Sequence, residues 1–284
     1  MRTRKHGRRA SARGGTMTTT ATKYDAISVE HRDQVAIVKL NRPEKLNAWA
    51  PAMQTEINGF VDALNEGEYD VRAIVLSGEG RAFCAGGDVT TFPGADLDAK
   101  RPPWRRAHGE NYAIRHLRDC DVPIISAING FCVGMGFGLA LATDLRIAAD
   151  DAIFQVAQTK RGIIADFGLG YLLPKVVGSQ RGLELMFTGR RINAQEALDL
   201  GLVLDVVPRD ELMDRAIELA TQIASGPPLS MAAIKRMVYM LEENDLARVQ
   251  DLTSPFVNIM FTSEDGIEGV NSFLERRDPV FVGR

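Results

Sequence analysis

The sequence predicts an α/β fold in which strands and helices alternate early and helices alone follow. Three observations predict it. Two apolar runs, residues 73–77 and 122–128, are each followed by a glycine-rich turn, at residues 81–88 and 129–136. An apolar run closed by glycines reads as a strand and its turn. From Ala194 onward the apolar spacing is helical, over residues 194–200, 209–224, 228–242 and 264–275.

The elements follow in order. Residues 26–30 alternate as a half-buried strand does, and residues 34–40 are more continuously apolar. The two flank His31-Arg32-Asp33 and read as a hairpin. Asn41-Arg42-Pro43-Glu44-Lys45 is a loop. Residues 51–64 place Met53, Ile57, Phe60, Val61 and Leu64 at helical spacing. Pro51 falls in that helix's first turn, where its missing N–H costs nothing. Pro93, Gly94, Pro102 and Pro103 make residues 91–103 a loop, and residues 104–118 return to helix. Residues 122–143 carry no charge over 22 positions, long enough to test as a membrane span. Pro123, Asn129 and four glycines interrupt them, so a buried strand, a turn and a packed helix fit better. Residues 144–148 and 152–156 read as short strands, 162–170 as a glycine-rich turn and 171–177 as a helix. The expected division is a basic disordered leader at 1–22, a core at 23–207 and a helical region at 208–284.

Composition is that of a soluble globular protein: 45% hydrophobic, 25% charged and a net charge of −3. Arg2, Arg4, Lys5, Arg8, Arg9 and Arg13 crowd the leader without an acid. A targeting or nucleic-acid-binding tail is one reading. A disordered extension is favoured, because apolar periodicity and interleaved aromatics are missing. No apolar segment follows these charges, which excludes a secretory signal. Cys84, Cys120 and Cys132 are odd in number and form no CxxC, so no disulfide framework is expected, and a reducing, cytoplasmic location is. No metal-ligand spacing appears. Gly78-Glu79-Gly80 is a turn, not a nucleotide fingerprint.

Across residues 24–282 the chain resembles the crotonase family, the enoyl-CoA hydratases and isomerases. The resemblance is carried by Asn41-Arg42-Pro43 with Leu46-Asn47-Ala48, by Ala82-Phe83-Cys84-Ala85-Gly86-Gly87-Asp88, by Ile128-Asn129-Gly130 and by Phe273-Leu274-Glu275-Arg276-Arg277. It implies a crotonase (ClpP-like) spiral of β-β-α units with a C-terminal helical trimerisation region. The implied assembly is a homotrimer or a dimer of trimers. The implied substrate is an acyl-CoA thioester, with coenzyme A as part of the substrate and no prosthetic group, metal, membrane or nucleic acid.

The resemblance makes the backbone N–H groups of Gly87 and Met135 an oxyanion hole for a thioester enolate, with Gly134 and Gly136 turning Met135 inward. Coenzyme A is expected along Lys45, Leu46, Ala82, Ala85, Gly86 and Gly134. Asp88 is expected to order the first turn. Arg276 and Arg277 either approach the phosphates or form a solvated helix face. Family hydratases use two glutamates, and the resemblance puts Gly138 and Gln158 at those positions. Neither can transfer a proton. The loop Gly162-Ile163-Ile164-Ala165-Asp166-Phe167-Gly168 resembles the one bearing a catalytic carboxylate in enoyl-CoA isomerases, with Asp166 at the carboxylate. Its apolar neighbours would desolvate that carboxylate and raise its pKa. The alternative role for Asp166 is a helix N-cap. Gln158 could hydrogen-bond a thioester or water, Lys160 and Arg161 could serve an acidic acyl group, and His108, Glu110, Tyr112 and His116 are possible auxiliaries.

The reading is thus Δ3,Δ2-enoyl-CoA isomerisation with Asp166 as base. An atypical hydratase, a thioester hydrolase and a non-catalytic acyl-CoA-binding paralog stay open.

Overall fold

A computed structural model describes residues 24–88, 90, 112–241 and 244–284. The basic leader, the loop at 91–103, most of the helix at 104–118, and with it His108 and Glu110, lie outside the described residues.

Strands β1 (Ile27–Arg32) and β2 (Val35–Leu40) form the expected hairpin, turning at Asp33 in left-handed backbone (φ 51°). Helix α1 (Pro51–Asn65) buries Met53, Ile57, Phe60, Val61 and Leu64, the stripe its spacing predicted. Three strand pairs then repeat: β3 (Ala73–Gly78) with β4 (Ala82–Cys84), β5 (Ile124–Ile128) with β6 (Phe131–Val133), and β7 (Leu145–Ala149) with β8 (Ile153–Gln155). Each pair is followed by a helix: α2 (Tyr112–Asp119), α3 (Met135–Ala142) and α4 (Leu169–Val177). The first strands of the pairs lie side by side in a six-stranded sheet, ordered β1-β2-β3-β5-β7-β10, with β10 at Asp205–Val207. The second strands lie side by side in a four-stranded sheet, ordered β4-β6-β8-β9, with β9 at Arg191–Asn193. This is the expected spiral. Stacking its turns makes β3, β5 and β7 parallel, and β4, β6 and β8 likewise.

The central strands β2, β3 and β5 are buried on both faces, which is why they read as continuous apolar runs, whereas the outer strand β1 alternates. Ala36, Val38, Leu40, Ile74, Leu76, Ile124 and Ile128 face the main core. The alternate residues Val35, Ile37, Ala73, Val75, Ile125, Ala127, Ile147 and Ala149 face α7 (Leu212–Ala224). Ala216, Ala220 and Ala224 recur along α7 on the buried side. The expected boundary at 207 coincides with the end of β10 (Asp205–Val207), yet α7 beyond it packs on the core sheet.

Several elements depart from expectation. Helix α5 (Ser179–Thr188), strand β9 (Arg191–Asn193), strand β10 and helix α9 (Leu246–Thr262) were not anticipated. Alongside α6 (Ala194–Asp199), α8 (Pro228–Leu241) and α10 (Glu264–Glu275) they complete the chain. Residues 122–143 are β5, β6 and α3, all of whose helical residues are buried. Among the described residues no helix is long and apolar enough to cross a membrane.

Candidate active site

Strands β4, β6 and β8 end at one edge of the four-stranded sheet, and each carries a different component to it. Ala82 pairs with Phe131 and Cys84 with Cys132, while Phe131 to Val133 pair with Ile153 to Gln155. This register brings together three segments far apart in sequence. They are Gly86-Gly87 after β4, Gly134-Met135 after β6, and Ala157-Gln158 after β8. Between them lies an open cleft of about 490 Å³, also lined by Ala85, Val133, Arg161, Ile163 and Asp166.

The orientation of the first amide follows from a backbone bridge. Trp49 N–H donates to Gly86 O (2.7 Å), and Asp88 N–H donates to Trp49 O (2.8 Å). In this parallel bridge between Trp49 and Gly87 the neighbours of Gly87 make both bonds. The N–H of Gly87 itself therefore points away from Trp49. The second amide belongs to Met135, the first residue of α3, and a first-turn N–H has no acceptor within its helix. Gly134 precedes it at φ 53° and ψ −116°, a conformation that excludes side chains with a Cβ. Gly87 and Met135 both line the cleft.

Asp88 orders the first turn, as expected. Its carboxylate accepts from Thr90, from Arg42 Nη2 (2.8 Å) and from Lys45 Nζ (3.3 Å). The hydrogen bond from Thr90, then that from Arg42, hold it well below the usual carboxylate range. Buried Asn47 pins the preceding loop, accepting from Arg42 N and donating to Glu79 O and Ala82 O. Ala85 and Gly86 line the cleft, whereas Ala82 is fully buried in β4 and does not. Lys45 is exposed and Leu46 half-buried on the loop behind Asp88.

Asp166 reaches the cleft, and its contacts decide between the two roles considered for it. Its carboxylate Oδ1 accepts from Gln158 Nε2 at 3.2 Å. The N-cap of α4 is Gly168, with no side-chain capping bond, so the cap role is excluded. The apolar wrapping expected from its neighbours is not found either. Ile163 is 42% and Ile164 80% exposed, and Asp166 is half-buried. What fixes the loop is Phe167, buried and left-handed at φ 51°, with its ring edge-on to Trp49 at 5.2 Å. A left-handed non-glycine costs roughly 1–2 kcal/mol, offset here by aromatic burial. Trp49 thus supports both the first turn and the Asp166 loop, a link the sequence reading missed.

Gly138 is a socket. A Cβ built on it would lie 2.1 Å from Phe167 O. Gly138→Ala is expected to push the Asp166 loop away, costing about 1–3 kcal/mol in stability, and a thermal melt checks this.

Other candidates fall away from the cleft. His116 pairs with Asp62 of α1 at 3.5 Å, and Arg277 is bound to Glu268 (2.8 Å) and Glu275. Arg161 lines the cleft, but Lys160 does not. Cys84 adjoins the first turn, but burial pushes its thiol up to about 11, which leaves no thiolate for nucleophilic attack. Among the described residues no His, Cys, Asp and Glu group could hold a metal ion.

Comparison with known proteins places this architecture. A family model described as enoyl-CoA hydratase/isomerase matches residues 30–284. A Rhodobacter capsulatus protein named as a probable enoyl-CoA hydratase is 34% identical over 263 residues, covering 92% of this chain and 99% of its own. The 1,2-epoxyphenylacetyl-CoA isomerase of Escherichia coli (strain K12) is 34% identical over 258 residues, covering 88% and 95%. The crystal structure of an enoyl-CoA hydratase from Bacillus anthracis superposes with a TM-score of 0.83 at 32% identity, covering 92% of this chain and all (100%) of that one. The match over residues 30–284, with relatives 34% identical over nearly the whole chain, shows that this chain belongs to the enoyl-CoA hydratase/isomerase family.

Proposed function

We propose that the protein moves a double bond in an acyl-CoA, converting a 3-enoyl thioester into its 2-enoyl isomer, with Asp166 as the base. One observation carries the reading: among the described cleft-lining residues Asp166 is the sole acid, facing the same space as the two amides. Asp166 takes a proton from C2. Negative charge moves onto the thioester oxygen, where Gly87 N–H and Met135 N–H receive it. Each such donor contributes about 3–4 kcal/mol in comparable sites. The resulting dienolate takes the proton back at C4, so no atom is gained or lost and one carboxylate suffices. Hydration asks for a second group to activate water, and Gly138 and Gln158 supply none.

Lys45, Leu46 and the Ala85–Gly86 backbone are proposed to carry coenzyme A, with Lys45 Nζ toward its phosphates. The exposed apolar side chains Phe261, Phe273 and Leu274 on α9 and α10 support assembly as a trimer or a dimer of trimers. The test is incubation with 3-hexenoyl-CoA and separately with crotonyl-CoA, with products identified by mass. A 2-enoyl product from the first and no hydration of the second are expected. Efficient hydration of crotonyl-CoA overturns the reading.

A further inference from the structure

The side chain of Gln158 hydrogen-bonds the carboxylate of Asp166, and its environment is unusual. It is 92% buried (8% exposed), and its Nε2 donates to Asp166 Oδ1 at 3.2 Å. Its Oε1 is buried without a hydrogen-bond partner. That oxygen lies against Gly134, 3.6 Å from where a Cβ would stand. Backbone bonds pin the residue as well, since Gln158 O accepts from Arg161 N (2.9 Å) and Ile163 N (3.1 Å).

An unpaired buried carbonyl is costly, and turning the amide around would not relieve it, since Nε2 would then take the unpartnered place. Turning around would set Oε1 against an ionised carboxylate, acceptor against acceptor. The observed orientation is therefore the one that gives the carboxylate a donor, and the bond to Asp166 fixes which way the amide faces. A leucine would fill the same space without the unpaired oxygen, so packing alone does not call for glutamine.

We propose that Gln158 is a positioning residue for the reaction. It ties up Oδ1 of Asp166, leaves Oδ2 as the oxygen that carries the proton between C2 and C4, and sets the carboxylate's distance from the Gly134–Met135 turn. Gly138 does the complementary task from the other side, since its missing Cβ admits Phe167 O and with it the loop. The two positions that hold acids in related hydratases thus both serve to place a single base. The inference rests on Asp166 being that base.

The experiment compares Asp166→Asn, Gln158→Leu and Gln158→Glu in the full chain on 3-hexenoyl-CoA, with kcat, KM, Tm and pH profiles. Gln158→Leu is expected to lower kcat by about tenfold or more, leave KM within about threefold, and leave Tm equal or higher. Gln158→Glu puts two carboxylates where they must share a proton. Its activity is expected to be highest while the pair holds that proton and to fall as the proton leaves, so that its pH profile departs from the native one. Arg161 is the other charged side chain described in the cleft and is present in every variant. An unchanged kcat in Gln158→Leu, or a Gln158→Glu profile that superposes on the native one, overturns the positioning role. So does a Gln158→Leu protein whose Tm falls and whose KM rises along with kcat. If Asp166→Asn keeps its isomerase activity, the base assignment fails instead. An inactive Asp166→Asn beside a fully active Gln158→Leu sinks the positioning role alone.

Discussion

Asp166→Asn is expected to lower isomerase kcat by about 10²–10⁴-fold while the protein binds CoA esters as before. The substitution is close to isosteric, and its amide oxygen can still accept from Gln158 Nε2, the bond Asp166 Oδ1 makes at 3.2 Å. Phe167 stays packed on Trp49, and both backbone amides stay where β4 and β6 put them. Only the ability to take a proton is lost. Steady-state kinetics with 3-hexenoyl-CoA, alongside calorimetric binding of a saturated acyl-CoA, separates the two properties. Retention of more than about a tenth of kcat would show that the base lies elsewhere, since a positioned acid–base group contributes at least tenfold more than that.

The largest expected loss of stability lies far from the cleft. Lys235 of α8 is buried, and its Nζ meets Asp144 Oδ2 (2.9 Å), Leu117 O (3.1 Å) and Val122 O (3.2 Å). These three acceptors use all the protons of an ammonium group. Asp144 also accepts from Ile124 N (2.7 Å) and from Tyr239 O–H, one helical turn beyond Lys235. Arg118 lies over the Tyr239 ring at 3.8 Å, and burial, followed by the charge of Asp144, pushes the Tyr239 phenol up. Lys235→Met leaves the carboxylate without its cation and two carbonyls without a donor. Removing one partner of a buried pair typically costs about 3–5 kcal/mol. At this chain length that corresponds to a Tm lower by roughly 6–20 °C. A calorimetric melt measures it, and adding Asp144→Asn should recover part of the loss. A shift below about 2 °C would mean that α8 docks through its apolar contacts alone.

The legible parts of the molecule share a physical cause. Helix α1 was readable because five buried side chains recur on one face, and the strand–turn units because glycines close apolar runs. The convergence of Gly87, Met135 and Asp166 was expected from family resemblance, and the stacked register of β4, β6 and β8 brings it about. Other elements leave weak traces. Strands β9 and β10 have three residues each, too few for a period-two pattern to stand out. Helix α9 carries Pro255 in its interior, where the missing N–H argues against a helix. The Gln158–Asp166 bond and the fit of Phe167 O against Gly138 join residues through space. No local pattern at positions 138 or 158 announces either contact.

The delivery of both amides by main chain has an evolutionary consequence. A hydrogen-bond donor that belongs to the backbone survives replacement of the side chain attached to it, so drift at position 135 would leave the proposed charge-stabilising half of the site in place. The proton-handling half rests on side chains, and it can be reassigned one residue at a time. A lineage built this way can change its reaction without rebuilding its scaffold. The fit of Phe167 into Gly138 sets the limit on that freedom. With Phe167 O seated there, placing any acid at position 138 would require the loop to be rerouted, so that position is closed to a new proton-handling group.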